Sequence, residues 1–256
     1  MIGWGASRQC TGWMLATLTA ATLVVGGCAS SPGGVNDPWE GMNRGVFRFN
    51  EGADRYVIEP AAKGWDFVMP DPVERAIDRF FDNVGFPVKF VNDLLQAKPV
   101  AAAQDLSRFV INTTLGVAGF FDPATEFGIE GHDEDFGQTL GYWGVPPGPY
   151  LVLPIIGPSS PRDTVGLVAD SAGQVYPYFV VWWVSSAITA TDLLNRRSLA
   201  LDEIAAERES ALDLYAAVRN AWVSYRENQV RDREEQESDR DDDLYSDPED
   251  DDAASD

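Results

Sequence analysis

The side chains that could do chemistry lie in two short segments. The sequence holds one histidine, His132, which stands among acidic residues in GHDEDFG. A catalytic zinc takes three protein ligands, and consecutive residues converge on one ion only in an unusual turn, so we expect a solvated or capping loop here. Ser159 and Ser160 could act as hydrolase nucleophiles only with His132 itself as their base. A Ser-His-Asp hydrolase is therefore weakly supported, and we predict no enzyme, no metal and no cofactor.

The composition limits the functions that the protein can have. The chain has 256 residues, 45% of them hydrophobic, which suffices for a folded body. It carries 41 acidic and 19 basic residues, for a net charge of -22. Binding to nucleic acid needs clustered Lys and Arg, so we predict no nucleic-acid partner.

The N-terminus has the layout of a lipoprotein signal. Residues 1–27 contain one positive charge, Arg8, no acid and a long apolar run. Cys28 follows two glycines, as in the lipobox of bacterial lipoproteins, whose cysteine is acylated after cleavage. The alternative is an ordinary signal peptide with a chance cysteine. Ala29, rather than Asp, follows the cysteine, which by resemblance to the lipoprotein sorting rule predicts a lipid-anchored protein of the outer membrane facing the periplasm.

The elements that must position these residues are predominantly helical. Apolar residues recur at spacings of three and four, which predicts helices over residues 42–57, 71–84, 88–96, 100–114 and 163–172. Glycine and proline make up a third of residues 116–163, so we expect an ordered but irregular insert. Within it, residues 150–156 could form a short edge strand.

The C-terminal third begins with an aromatic segment, residues 175–190, which is too short to span a bilayer. It forms either a buried core helix or a helix in or beside the acyl region, because tryptophan and tyrosine concentrate at membrane interfaces. Apolar residues at helical spacing over residues 198–231 predict one long amphipathic helix, or two helices broken near Glu209.

The last 25 residues are strongly acidic. Residues 232–256 hold 14 acidic residues and two arginines, which predicts a disordered tail. The tail is either simply solvated or a docking arm for a basic partner.

Several segments resemble one known family. They are NDPWEGMNRGVFRFN, FFDNVGFPVKFVNDLLQAK, RFVINTTLGVAGFFDPA, EDFGQTLGYWGVPPGPYLVLPIIGPSSPRD and DSAGQVYPY, and they occur in family order between residues 37 and about 178. In these segments the chain resembles the MlaA/VacJ family of outer-membrane lipoproteins. The resemblance implies an all-α fold in which amphipathic helices form a ring within one membrane leaflet around an amphipathic channel. It also implies phospholipid as cargo and, as partners, a trimeric porin and a soluble periplasmic lipid carrier.

The implied function is retrograde phospholipid transport. Such a protein removes mislocalised phospholipids from the outer leaflet, passes them to the carrier and so maintains lipid asymmetry. The alternative is a structural envelope lipoprotein that scaffolds porins without conducting lipid. We divide the chain into a signal peptide (1–27), an acylated linker (28–36), a helical domain (37–231) and an acidic tail (232–256).

Two groups of site residues follow. The lipidation site is Cys28, and the candidates for the lipid conduit or the family motif are Asp37, Pro38, Glu40, Asn43, Arg44, Asp135, Phe136, Gly137, Gln138, Gly141, Arg162 and Asp163. The candidates for membrane-facing residues are Phe80, Phe81, Trp182 and Trp183. A structural alternative stands beside each group: the phenylalanines as plain core, and Arg162 with Asp163 as caps of the next helix.

Overall fold

The computed structural model describes the backbone of residues 35–245 and the side chains of residues 35–230. The predicted signal peptide, Cys28 and all but the last two residues of the predicted linker lie outside this part of the chain.

Helices follow one another along the described chain. In order they are α1 (Glu40–Ala53), which passes through the π-helical turn Asp54–Ile58 into α2 (Glu59–Val68), then α3 (Asp71–Leu95), α4 (Pro99–Thr114), α5 (Pro123–Glu126), α6 (Phe136–Tyr142), α7 (Pro161–Gly173), α8 (Trp182–Leu199), α9 (Leu201–Ser210) and α10 (Leu214–Tyr245). Strands β1 (Leu151–Leu153) and β2 (Gly157–Ser159) pair antiparallel between α6 and α7. The predicted short strand is thus one arm of a hairpin.

Helix α3 is longer than the sequence indicates. The prediction of two helices, 71–84 and 88–96, is wrong, because α3 continues through Pro87. Proline removes one backbone hydrogen bond and strains the preceding turn. Packing offsets this loss: α3 contacts α4 and α8, and Phe86, beside the proline, stacks on Phe109 of α4 with ring centroids 4.4 Å apart.

The insert between α4 and α7 combines short helices with turns. Its first turn places Val117, Ala118 and Gly119 in the left-handed region, with φ of 54°, 60° and 96°. Only glycine takes this conformation without strain. The short helices are N-capped by aspartate side chains. Asp122 accepts a hydrogen bond from Thr125 N at the start of α5, and Asp135 accepts one from Gln138 N at the start of α6.

The structure of the C-terminal region distinguishes between the alternatives predicted for residues 175–190 and for residues 198–231. The exposed fractions of Phe179, Trp182 and Trp183 are 81%, 80% and 61%, so the buried-core interpretation of residues 175–190 is wrong for these side chains. In the 198–231 segment, Ser198 and Leu199 end α8, and the rest forms the two helices α9 and α10, separated at residues 211–213.

Helix α10 continues past the point where the sequence predicts a disordered tail. Its backbone is helical to Tyr245, whereas the tail was expected to begin at Asp232. Glu, Gln and Arg are good helix formers, and they extend a helix whose first turns are already held by packing. The remainder of the predicted tail, residues 246–256, lies outside the described residues.

Contacts between the elements close a ring. Helix α2 packs on α8, α8 on α3, α3 on α6 and α7, α6 on α10, α10 on β2, and β1 on α1, which runs back into α2. The all-α, ring-like fold class is therefore confirmed.

The distribution of polarity is inverted relative to a water-soluble domain. The largest side chains that are fully buried are Asn43, Asn195, Thr139, Asp93 and Ser160, while large apolar side chains such as Phe67 and Phe179 are exposed. Extensive exposure of large apolar side chains marks an interaction with another apolar phase. None of the helices in the described part of the chain has the length and apolar character needed to cross a bilayer.

Candidate functional site

A cavity of about 460 Å³ lies inside the ring. We call it the central cavity. Five elements of the ring contribute to its wall, with Lys89 of α3, Pro158 of the hairpin, Leu167 of α7, Arg196 of α8 and Tyr225 of α10. Because elements that are distant in sequence share this wall, the ring itself creates the space.

A second cavity of about 540 Å³ lies between α3, α4 and the loop that precedes α6. We call it the lateral cavity. Asp82, Lys89 and Asp133 line both cavities, so the two spaces adjoin at these side chains. Together the two linings contain ten carboxylates and five Lys or Arg side chains. The combined space is therefore polar and acidic.

Lys89 sits where the two cavities meet. Its Nζ lies 2.5 Å from Asp82 Oδ1 and 2.5 Å from Asp133 Oδ1. Burial alone would lower the pKa of Lys89, but the negative charges of Asp82 and Asp133 outweigh burial, and the pKa is raised. The wall thus holds a primary ammonium group between two carboxylates.

A buried pair of acids lies behind the lateral cavity. Asp93 of α3 has no exposed surface, and neither of its carboxylate oxygens has a hydrogen-bond partner other than a second acid. That acid is Asp105 of α4, whose Oδ2 also lacks another partner. Burial, followed by the charge of Asp105, raises the pKa of Asp93 to about 7. One proton shared between the two carboxyl groups joins one oxygen of each and removes the repulsion between two buried negative charges.

His132 contacts this acid pair through Asp105. Its backbone N–H donates to Asp105 Oδ1 at 3.1 Å, and its Nδ1 lies 3.2 Å from the same oxygen. The hydrogen bond with Asp105 raises the pKa of His132 against the opposing effect of burial. Among the residues that the structure describes, no group of three or more His, Cys, Asp or Glu side chains is placed to hold a metal ion.

The predicted candidates around α6 and α7 form one cluster with a residue that the sequence analysis missed. Arg226 of α10 donates to Asp135 Oδ2 at 2.6 Å and to Asp163 Oδ1 at 2.6 Å. Arg162, which is buried, donates through Nη2 to Asp163 Oδ1 at 3.1 Å. Burial alone would raise the pKa of Asp135, but the hydrogen bond from Arg226 holds it below its usual value. Asp135 and Asp163 line the central cavity.

The glycines of this cluster allow α6 and α7 to touch. A Cβ atom on Gly166 would lie 2.4 Å from the backbone nitrogen of Gly137, and one on Gly141 would lie 2.9 Å from Arg162 Nη1. The Phe136 N–H donates to Asp170 Oδ2 at 3.0 Å, which fixes the start of α6 against α7. Gln138, nearly fully buried, donates to the carbonyl of Asp133 at 2.8 Å.

The candidates near the N-terminus form a separate cluster. Asn43 donates to Asp37 Oδ1 at 2.8 Å and to the carbonyl of Tyr150 at 3.0 Å, and its Oδ1 accepts from Val152 N at 3.1 Å. Asp37 also accepts from the hydroxyl of Tyr215 in α10. These bonds tie the chain entry to the hairpin and to α10.

Arg44 strengthens the same junction from α1. It donates to Asp213 Oδ2 at 2.7 Å and to Glu40 Oε1 at 2.8 Å, and its guanidinium lies over the Tyr215 ring. Pro38 is exposed at the surface. This cluster lies outside the linings of the central and lateral cavities, and its part in lipid passage stays a prediction.

The membrane-facing candidates divide into two kinds. Phe80 and Phe81 are half-buried, and Phe80 stacks on Phe120 with ring centroids 4.8 Å apart. Trp182 and Trp183 are exposed and continue a patch that includes Tyr178 and Phe179. The two tryptophans offer the larger apolar surface to the surroundings.

Sequence reasoning missed the ion network between α1, α2 and α9. Arg208 of α9 donates to Asp54 Oδ2 at 2.6 Å and to Glu59 Oε2 at 2.7 Å, and Arg197 of α8 donates to Asp54 Oδ1 at 2.8 Å. Arg197, Arg208 and Arg226 all lie C-terminal to residue 178, beyond the segments on which the sequence analysis rests.

The sequence model of the MlaA lipoprotein family matches residues 35–229. The chain belongs to the MlaA lipoprotein family. It is 36% identical over 196 residues to the intermembrane phospholipid transport system lipoprotein MlaA of Haemophilus influenzae, covering 75% of each chain. It is 35% identical over 217 residues to the protein of the same name from Escherichia coli, covering 81% of this chain and 85% of the relative.

Two further comparisons extend the MlaA family relationship. An uncharacterized protein of Rickettsia felis is 36% identical over 198 residues, covering 77% of this chain and 79% of the relative. A solved structure reported for the structural basis of maintenance of bacterial outer membrane lipid asymmetry is similar with a TM-score of 0.67 and 31% sequence identity. The match covers 76% of this chain and 98% of the solved one. The ring described above is thus the fold of this MlaA family member.

Proposed function

We propose that the protein transports phospholipid between membranes as an outer-membrane lipoprotein. It removes mislocalised phospholipids from the outer leaflet and passes them to a soluble periplasmic carrier. The observation that carries the proposal is the pairing of a polar cavity inside the ring with apolar side chains outside it. The names of the Haemophilus influenzae and Escherichia coli relatives support the same cargo.

The physical reason concerns the lipid head group. A charged head group crosses hydrocarbon only at a cost of several kcal/mol or more, because it loses its hydration. The acidic central cavity offers polar groups and room for water along such a path. The exposed apolar side chains offer a matching surface for acyl chains, so that the body lies flat within one leaflet.

The anchor and partners complete the proposal. Cys28 carries the acyl chains that tether the protein to the outer membrane, with its body toward the periplasm. A trimeric porin holds the ring in place, and the carrier receives the lipid. The protein is not an enzyme, and lipid movement is driven by the partners or by the concentration gradient.

A blocking substitution tests the conduit. Leu167 lines the central cavity, whereas its neighbour Val168 is 67% exposed and lies outside that lining. In cells lacking the native protein, we expect Leu167→Trp to leave phospholipid at the cell surface and Val168→Trp to restore lipid asymmetry, at equal protein levels. If both variants restore asymmetry, the central cavity is not the lipid path.

Deletion of the whole protein separates transport from scaffolding. A lipid conduit predicts surface phospholipid in the deletion strain, together with a trimeric porin that co-purifies with the intact protein. A structural scaffold predicts a weakened envelope without lipid redistribution. Cys28→Ser should release the protein from the outer-membrane fraction, and an unchanged fraction would contradict the anchor.

A further inference from the structure

The acid-rich junction of the two cavities points to a particular head group. Of the basic side chains that line the lateral cavity, Lys89 and Arg108 are each paired with carboxylates, the latter with Asp122 at 2.8 Å. The carboxylates outnumber the basic groups by ten to five across both linings. An anionic lipid head group therefore meets net repulsion along this wall.

This wall already binds one cationic group, the ammonium of Lys89. The Nζ of Lys89 is a primary ammonium, and Asp82 and Asp133 hold it through their Oδ1 atoms only. The side chain of Lys89 is 20% exposed, whereas those of Asp82 and Asp133 are 52% and 78% exposed. The carboxylates thus face the cavities and remain open to a second ammonium group.

We propose that the protein selects phospholipids whose head group carries a primary ammonium, and that Asp82 and Asp133 bind this ammonium where the two cavities meet. The inference rests on the proposed transport function and specifies its cargo. The lipid ammonium competes with Lys89 for the two carboxylates, and Lys89, once released, faces the phosphate of the same lipid. This exchange keeps the charges on both sides paired during passage.

Three lipids with identical acyl chains separate the possible causes of selection. Phosphatidylethanolamine carries a primary ammonium, phosphatidylcholine has the same net charge but no N–H donor, and phosphatidylglycerol is anionic. The intact acylated protein, purified in detergent, is given an equimolar mixture of the three, and the bound lipids are quantified by mass spectrometry. The Leu167→Trp variant gives the baseline from lipid bound on the outer apolar surface.

Above that baseline, we expect about tenfold more phosphatidylethanolamine than phosphatidylglycerol, with phosphatidylcholine between them. The double variant Asp82→Asn, Asp133→Asn should reduce the preference to within about twofold. Asp71→Asn, in the same helix but outside both linings, should leave it unchanged.

Misfolding could also reduce the lipid preference, so a second variant is expected to increase it. Lys89→Met frees both carboxylates and should increase the preference for phosphatidylethanolamine, a result that a damaged fold would not give. Equal binding of all three lipids would overturn the head-group inference and leave transport standing. Equal binding of the two zwitterionic lipids would overturn the ammonium contact. No lipid above the baseline would overturn transport and selection together.

Discussion

Arg226 and Asp163 are joined by a hydrogen bond of 2.6 Å between Nη2 and Oδ1, and both side chains are largely buried. The same guanidinium holds Asp135 at the start of α6. One side chain of α10 thus fastens the two helices that form one side of the central cavity.

Removing this guanidinium should destabilise the ring. Arg226→Met leaves Asp135 without its cation and Asp163 with Arg162 alone, which costs about 3 kcal/mol or more in a buried site. We expect the melting temperature in detergent to fall by about 6–12 °C. Arg48→Met, at an exposed position of α1, should change it by less than about 2 °C, and equal effects of the two would contradict the buried role of Arg226.

The contact between α6 and α7 predicts a sharp difference between two glycines of the same helix. Gly166→Ala places a methyl group 2.4 Å from the backbone nitrogen of Gly137, whereas at Gly173 the nearest atom is Val88 Cγ2 at 3.5 Å. The first variant should lose about 1–3 kcal/mol of stability by overpacking. The second should be neutral or slightly stabilised, because alanine favours the helix. Thermal melts followed by circular dichroism compare the two.

The acid pair predicts a pH-dependent stability. The pKa of Asp93 in the folded chain, about 7, lies above its unfolded value. The protonated form therefore favours folding, and this contribution is complete below about pH 4 and is lost as the pH rises to about 7. Asp93→Asn removes the dependence, since its amide donates to Asp105 Oδ2 without titrating.

We expect the stability difference between Asp93→Asn and the native chain to grow in favour of the variant by up to about 1.4 kcal/mol per pH unit in that window. Melting temperatures from pH 4 to pH 8 measure it. Asp71→Asn, an exposed change of the same type, should follow the native chain. A constant difference between Asp93→Asn and the native chain would show that Asp93 is ionised throughout.

The exposed tryptophans predict membrane partition beyond the lipid anchor. In a Cys28→Ser background, Trp182→Ala combined with Trp183→Ala should weaken binding to phospholipid vesicles at least about tenfold, because each indole buries a large apolar area. Trp65→Phe is the control, since Trp65 is half-buried and its Nε1 donates to Asn195 Oδ1 at 3.1 Å. Vesicle co-sedimentation measures the partition, and equal binding of both variants would place the patch outside the membrane.

His132→Ala tests the remaining hydrolase interpretation. Its hydrogen bond to Asp105 contributes about 1 kcal/mol to stability, and its loss should leave transport intact. We therefore expect full restoration of lipid asymmetry in a deletion strain. Loss of transport by a folded His132→Ala protein would require a chemical role for the imidazole.

The sequence predicted the helices best where apolar residues recur over several turns. It also placed Asp135, Asp163 and Arg162 among the site candidates, and the structure brings these three together. It failed at Pro87, where packing against α4 overrides a local helix breaker. It also missed Arg226, because a lone arginine on a helix reveals its partners only after distant segments meet.

The inverted polarity described for this ring bears on how it is made. Asn43, Asp93 and Asn195 lie inside, while Phe67 and Phe179 lie outside. Because closing the ring buries little apolar surface, the hydrophobic effect in water contributes little to its assembly. We therefore expect the ring to reach its full stability only when hydrocarbon or detergent covers the apolar side chains on its outer surface.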